Sequence, residues 1–170
     1  VQKILDVTIT WKIEAAGKID ADIAVTKDDE FPDLPRFGVR MFLDKKLSAV
    51  RYFGMGPQES YCDKHQAASH GLYRADVGDL HEDYIRPQEN GSHYDCEYVE
   101  LNNSRYGIVA SAEKAFSFNA SYYTQEELEE KTHNYELSES DSVVFCVDYA
   151  LNGIGSNSCG PVVLEQYRFD

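Results

Sequence analysis

Two glutamates stand in the same short motif and are the strongest candidates for paired acid–base chemistry. Glu59 ends the run Pro57-Gln58-Glu59, and Glu89 ends the run Pro87-Gln88-Glu89. Glycoside hydrolysis uses two carboxyl groups about 5 to 9 Å apart, and two similar turns could present such a pair. Loop carboxylates are also commonly structural partners of backbone N–H groups or cations. We expect that structural role for both glutamates.

The glycine-rich run that begins at Gly153 does not match a phosphate-binding loop. A dinucleotide-binding fingerprint needs a third glycine and a helix directly after it. Pro161 instead disfavours a helical conformation at the residue before it. We therefore expect a turn-rich loop over residues 153–161, of the kind that often borders a binding site.

Neither the histidines nor the cysteines show the spacing of a metal or redox motif. The five histidines are His65, His70, His81, His93 and His133. They predict no zinc site, because neither a Cys pair nor a His-Glu-x-x-His helix accompanies them. Cys96 and Cys146 lie within apolar runs and are predicted to be buried, whereas Cys62 and Cys159 do not. We expect a reducing compartment, and disulfides remain an open alternative.

Length and charge restrict the function further. A chain of 170 residues is long enough for a single domain, and we expect one over residues 1–170. The net charge of −14 would repel a phosphate backbone, which excludes nucleic acid as a partner. No segment has the ~20 apolar residues that a membrane helix needs. The first residue is Val1, so we expect a fragment of a longer protein.

Alternating apolar residues predict that strands position these groups. The predicted strands and hairpin indicate an all-β sandwich or barrel; they cover residues 7–13, 19–25, 37–43, 47–53, 94–101, 106–112, 116–123, 143–149 and 162–169. Residues 54–90 are predicted to form a long loop. One short helix is expected over residues 124–131, with Thr124 as N-cap and Glu127 reaching back as a capping box.

An ordered series of motifs carries a resemblance to a known family. The series runs through residues 54–63, 84–91 and 118–123, then Leu128 and His133, and ends at residues 148–161. It resembles the C-terminal, small-chain domain of LacZ-type β-galactosidases of glycoside hydrolase family 2. The resemblance implies an antiparallel supersandwich of the galactose-mutarotase-like type, truncated here. It also implies a parent enzyme that hydrolyses terminal β-D-galactosides such as lactose.

The resemblance implies that this chain catalyses nothing on its own. In the family, both catalytic glutamates and the Mg and Na sites lie in a central barrel domain, so no cofactor is expected here. The family contributes a tryptophan from this domain to the galactoside pocket. The matching positions are Asn157, Ser158 and Cys159, in a loop one residue shorter, with Cys159 where the tryptophan would stand. These three residues are the predicted substrate-binding residues.

The remaining expectations concern the partners, the location and two alternative functions. Expected partners are the other domains of the parent, a β-galactoside at the loop, and a second copy of this chain through a strand edge or apolar face. We expect a cytoplasmic protein, with the periplasm as the alternative. A stand-alone carbohydrate-binding module using Tyr61, Tyr73 or Tyr84 is the first alternative function. An aldose epimerase-like enzyme is the second.

Overall fold

The computed structural model describes residues 3–28, 30–155 and 163–169. The chain divides into two compact units, Val1–Asp33 and Leu34–Asp170. That the whole chain is one domain therefore stays a prediction. Among the described residues, no helix has the length and apolar character needed to span a lipid bilayer.

The first unit is an antiparallel hairpin of β1 (Leu5–Ile13) and β2 (Ile19–Lys27), as the alternation predicts. Gly17 closes its turn with a φ of +88°, a conformation that glycine adopts without strain. The alternating apolar residues of a strand usually face a core, but here they are largely exposed: Trp11 is 53% exposed and Ile13 is 73% exposed. The alternation therefore predicts the two strands correctly but not the exposure of their apolar side chains.

The second unit contains a six-stranded antiparallel sheet within the described residues. Its strands are β3 (Arg36–Asp44), β4 (Ala49–Gly56), β5 (Ser69–Asp76), β6 (Ser92–Asn102), β7 (Gly107–Ser121) and β8 (Ser142–Leu151). They lie side by side in the order β3-β8-β7-β6-β4-β5. The predicted all-β antiparallel class is confirmed, and the sheet is consistent with a sandwich architecture.

Three predicted elements differ in the structure. Strand β5 lies within residues 54–90, which were expected to be a loop. The strand was not predicted because its histidine, glycine and arginine interrupt the alternation of apolar and polar residues. Strand β7 is continuous where two strands were predicted. The closing strand predicted over 162–169 is wrong for the described part, since Glu165–Tyr167 is a single 3-10 turn.

The helix prediction is confirmed as α1 (Gln125–Glu130), and Thr124 is its N-cap. The hydroxyl of Thr124 accepts a hydrogen bond from the Glu127 backbone N–H at 3.0 Å. The reciprocal half of the capping box is wrong, because the Glu127 carboxylate accepts from the Ser138 backbone N–H at 2.9 Å instead. Leu128, only 5% exposed, buries the helix against the rest of the unit.

The core of the second unit consists of the side chains that alternate inward from the sheet. Tyr52 and Phe118 meet edge to face with ring centroids 5.0 Å apart, and both are almost fully buried. Burying a side chain of this size contributes about 1.5–3 kcal/mol to stability, so these rings help to hold β4 and β7 together. Cys96 and Cys146 are buried as predicted. The loops described below leave this sheet at its strand ends.

Candidate functional site

The loop that was predicted to border substrate begins directly after β8. Gly153, Ile154 and Gly155 are described, and they follow Asn152 at the end of the strand. The predicted substrate-binding residues Asn157, Ser158 and Cys159 lie outside the described residues. The structure therefore shows how this loop begins.

The carboxylate of Asp63 holds the first residues of the loop. Its Oδ1 accepts a hydrogen bond from the Ile154 N–H at 3.1 Å, and its Oδ2 accepts from the Gly155 N–H at 2.8 Å. Two successive backbone donors thus share one carboxylate, an arrangement in which an ionised acceptor strengthens both bonds. Asp63 comes from the segment between β4 and β5, 91 and 92 residues away along the chain.

Two glycines make this contact possible. A Cβ atom at Gly153 would overlap the carboxyl group of Asp63, so any other residue would push the carboxylate away. Gly155 has a φ of +57°, in the left-handed region that glycine adopts readily. The Gly-x-Gly pattern therefore serves close approach and backbone geometry, in agreement with the rejection of phosphate binding.

The base of the loop has further attachments on both sides. Gly153 N–H donates to the Tyr167 carbonyl at 3.0 Å, and the Phe169 N–H donates to Oδ1 of Asn152 at 2.9 Å. The Cys62 thiol lies 3.6 Å from the carbonyl oxygens of both Leu151 and Tyr167. Residues 151–153, which lead into the loop, and residues 167–169, which follow it, are thus bonded to each other and to the Cys62-Asp63 pair.

A tight turn of residues 61–64 presents Cys62 and Asp63. Tyr61 and Lys64 exchange two backbone hydrogen bonds, of 2.8 and 3.0 Å, and only Cys62 and Asp63 lie between them. The Tyr61 side chain is 1% exposed, which fixes one end of the turn. Burial makes Tyr61 a poor sugar-stacking platform, so its proposed role in a carbohydrate-binding module is wrong.

The Glu59 carboxylate fixes the other end of the turn. It pairs with the Lys64 ammonium, accepts from the Tyr84 hydroxyl, and accepts from the Gly91 N–H at 2.9 Å. Burial opposes ionisation of Glu59, but these hydrogen bonds outweigh it and keep the pKa below its usual range. Glu59 is therefore an ionised structural partner, as expected.

Glu89 belongs to a different cluster, around Arg36 of β3. The Arg36 guanidinium donates to Asp148 of β8 through two bonds of 2.8 and 2.7 Å, and to Oε2 of Glu89 at 3.2 Å. Burial raises the pKa of Glu89, although the Arg36 charge works against this. Asp148 has only 3% of its side chain exposed, so Arg36 is needed to compensate a buried carboxylate.

These contacts assign both glutamates to separate structural networks. Glu59 orients the turn that carries Asp63, and Glu89 belongs to the ion-pair cluster that joins β3 to β8. Within residues 3–28, 30–155 and 163–169, no group of three or more His, Cys, Asp or Glu side chains could hold a metal ion.

A pocket of about 280 Å³ lies beside the base of the loop. Aromatic rings and polar groups share its wall, which includes Cys62, Tyr94, Asp95, Tyr149, Tyr167 and Phe169. Asp95 sits at a break in the β6–β7 register with a φ of 55°, which is uncommon for a residue with a side chain. Such bulges often re-aim side chains next to binding sites.

The sequence interpretation missed Asp63 and this pocket. Asp63 closes the first motif of the resemblance, and a carboxylate at the end of that motif was a usable signal. Its partners, however, are two backbone N–H groups, which no sequence pattern displays. The pocket residues come from five separate segments, so no single segment of the sequence indicates them.

Comparison with known proteins identifies relatives over the whole chain. The family model described as β-galactosidase small chain matches residues 1–170. A β-galactosidase of Actinobacillus pleuropneumoniae is 51% identical over 98% of this chain and 16% of its own length. β-Galactosidases of Staphylococcus xylosus and Kluyveromyces lactis are 38% and 33% identical over 100% and 90% of this chain. The chain thus spans about a sixth of the length of these curated relatives.

Proposed function

Because the chain belongs to the β-galactosidase small-chain family, we propose that it is a non-catalytic domain of a β-galactosidase acting on terminal β-D-galactosides such as lactose. The catalytic glutamates and the Mg and Na ions would come from the parent's barrel domain. This chain would contribute the loop from Gly153 to Pro161 to the edge of the substrate pocket. Asn157, Ser158 and Cys159 are the proposed contacts.

One observation carries the loop assignment: the base of the loop is held by side-chain and backbone contacts from two other segments. Asp63 accepts from Ile154 and Gly155, the Tyr167 carbonyl accepts from Gly153, and the Phe169 N–H donates to Asn152 just before the loop. A loop that positions substrate must be held in one geometry by its surroundings, since a small displacement weakens binding. The anchoring supports this role better than that of a free surface connection.

The test uses the full-length parent enzyme and nitrophenyl-β-galactoside. The enzyme should hydrolyse the substrate, whereas the 170-residue chain alone should not. Replacing Asn157, Ser158 and Cys159 together by alanine in the full-length enzyme should raise KM. An unchanged KM in that triple variant would remove the loop from the substrate pocket.

A matched pair of substitutions tests the absence of catalysis by this domain. Glu59→Gln and Glu89→Gln should each leave kcat of the folded parent within about threefold of the wild-type value, because neither touches the reacting atoms. A loss of about a hundredfold or more, the size expected for removal of a general acid or base, would contradict the proposal.

The pocket beside the loop favours a second candidate, direct sugar binding by this chain. Tyr149 is 63% exposed and lines the pocket with Tyr94 and Tyr167, so rings are available next to the polar side chain of Asp95. Ring faces and polar groups together suit a pyranose. Calorimetric titration of the chain with galactose and lactose is the test, and millimolar or tighter binding would favour this candidate.

Self-association of the isolated chain is also a proposal. The sheet has β3 and β5 as its edges among the described strands, and unpaired edges pair readily with another chain. Exposed apolar side chains of the hairpin, including Trp11, Ile13 and Ile19, would add to it. Light scattering at micromolar concentration should detect oligomers, and a clean monomer would contradict the proposal.

A cytoplasmic location is proposed for the parent. Cys62, Cys96 and Cys146 are free thiols in the part of the chain that the structure describes, which suits a reducing compartment. Cells are treated with a thiol-labelling reagent and then fractionated into cytoplasm and periplasm. Labelled parent enzyme in the cytoplasmic fraction would support the proposal, and its recovery from the periplasmic fraction would contradict it.

A further inference from the structure

We infer that Asp63 is a positioning residue for substrate binding, because its carboxylate sets the geometry in which the substrate-bordering loop leaves β8. This inference rests on the proposed function of that loop and adds a residue outside it. Asp63 does not need to touch the substrate. Its two bonds, to Ile154 N–H and Gly155 N–H, fix the direction of the backbone at the start of the loop.

Both oxygens of the carboxylate are used, which makes the residue type specific. An asparagine side chain in place of Asp63 would offer one acceptor oxygen, and its NH₂ group would face the second backbone donor. One of the two hydrogen bonds to the loop backbone would be lost, and the NH₂ group would face a backbone N–H, so two donors would oppose each other. Asp63→Asn therefore disturbs the loop while keeping the size of the side chain almost unchanged.

The position of the carboxylate is set by the turn of residues 61–64 and not by the loop itself. Tyr61 is 1% exposed, and Lys64 pairs with Glu59, whose own side chain has only 6% exposure. The turn is thus fixed at both ends by contacts that do not involve the loop. The backbone at Ile154 and Gly155 therefore follows the position of Asp63, because the packed turn has less freedom than a segment with glycines.

Gly153 provides independent geometric support. Its missing side chain leaves the space that the Asp63 carboxylate occupies, since a Cβ atom there would overlap Cγ of Asp63. Gly153→Ala should therefore separate the same two partners from the opposite side. Two substitutions in distant segments are expected to produce one and the same effect.

The effect should appear mainly in KM. Under the proposed function, the loop borders the substrate pocket and carries none of the reacting groups, so its displacement would remove binding shared by the ground and transition states. In the full-length enzyme we expect Asp63→Asn and Gly153→Ala to raise KM about tenfold with kcat within about threefold. Asp63→Glu, which keeps two acceptor oxygens, should recover part of the loss.

Glu100→Gln is the matched control. Glu100 pairs with Arg51 at 2.6 Å on β6 and β4, away from the loop contacts, and losing its charge should leave KM unchanged. An equal change of KM in Glu100→Gln and Asp63→Asn would assign the effect to general destabilisation and overturn the inference.

Hydrogen exchange of the full-length enzyme gives a readout that does not depend on substrate. At least one of the Ile154 and Gly155 amides should exchange about tenfold faster in Asp63→Asn, which loses one acceptor oxygen, and both should do so in Gly153→Ala, which displaces the carboxylate. Unchanged protection in both variants would overturn the inference, whatever the kinetics.

The kinetic outcomes separate this inference from the proposed function. If the alanine variant of Asn157, Ser158 and Cys159 raises KM but Asp63→Asn and Gly153→Ala do not, the loop assignment stands and the role of Asp63 is wrong. If the alanine variant leaves KM unchanged, the proposed function of the loop is wrong. Should Asp63→Asn fail to fold, Gly153→Ala and Asp63→Glu decide the outcome.

Discussion

The two Pro-Gln-Glu turns share a sequence but place their glutamates in opposite electrostatic surroundings. Around Glu59, an ammonium, a hydroxyl and a backbone N–H all bond to the carboxylate, and its pKa is lowered. Around Glu89, Arg36 bonds to one oxygen, the other has no hydrogen-bond partner among the described residues, and burial raises the pKa. An identical motif therefore does not determine ionisation, because the surrounding donors do.

The two turns also differ in what they hold. The Glu59 turn leads to Asp63 and so to the loop that we propose borders substrate. The Glu89 turn meets Arg36 and Asp148, which lie on adjacent strands and join β3 to β8. One turn serves the candidate site and the other serves the sheet. The following predictions test this difference, from the largest effect to the smallest.

Loss of Arg36 should be the most damaging change in the cluster of the second turn. Arg36→Met leaves the Asp148 carboxylate, 3% exposed, without its bidentate partner and should destabilise the chain by about 3–5 kcal/mol. Arg40→Met is the control, because Arg40 is exposed and its pair with Glu126 contributes at most about 1 kcal/mol. Urea unfolding measures both, and equal effects would contradict the prediction.

His93 should make stability depend on pH near the strand that leads to the first turn. Burial lowers the pKa of this side chain, 1% exposed, to about 4 from 6.5. The unfolded chain binds a proton below pH 6.5 and the folded chain does not, so stability falls as the pH drops from 6.5 to 4. The loss is about 3 kcal/mol.

The measurement is urea unfolding at several pH values between about 4 and 7. His93→Phe keeps a ring in contact with Tyr52 and Phe118 and removes the titrating group. The variant should lose most of the pH dependence in this window. A slope equal to that of the wild-type chain would show that another group is responsible.

Glu59→Gln should destabilise the chain by about 2 kcal/mol at pH 7, since it removes an ionised acceptor of three hydrogen bonds. The stabilisation depends on pH because the pKa of Glu59 is lowered: its carboxyl group binds a proton less tightly in the folded chain than in the unfolded chain. This stabilisation is present above the unfolded pKa and is lost as the pH falls through the folded pKa. Unfolding at pH 7 and pH 3 should show the variant's deficit shrinking at low pH.

Glu89→Gln should have the smallest effect, within about 0.5 kcal/mol at pH 7. The raised pKa means that the folded chain binds the proton more tightly, so ionisation of Glu89 costs stability as the pH rises through the folded pKa. Replacing Glu89 by glutamine removes both the cost of burying a charged carboxylate and its attraction to Arg36, so the two changes offset each other. A loss as large as that of Glu59→Gln would remove the proposed difference between the turns.

Much of the sheet could be predicted because its strands alternate between apolar and polar residues or, in β8, form a continuous apolar run. Strands β3, β4 and β8 and the helix after Thr124 follow from periodicity and capping. Strand β5 could not be predicted, since only Tyr73 and Ala75 of its inward side carry apolar groups. Its position at the edge of the sheet is decided by pairing with β4, a contact between distant segments.

By itself, the sequence determined the all-β class, the acidic surface, the short helix and the family to which the chain belongs. These properties depend on local alternation, composition and ordered motifs, which can be read along the chain. Only the tertiary structure decided that Glu59 and Glu89 belong to different networks and that Asp63 holds the loop after β8. Those contacts join groups many residues apart, several of them backbone N–H groups that have no signature in the sequence.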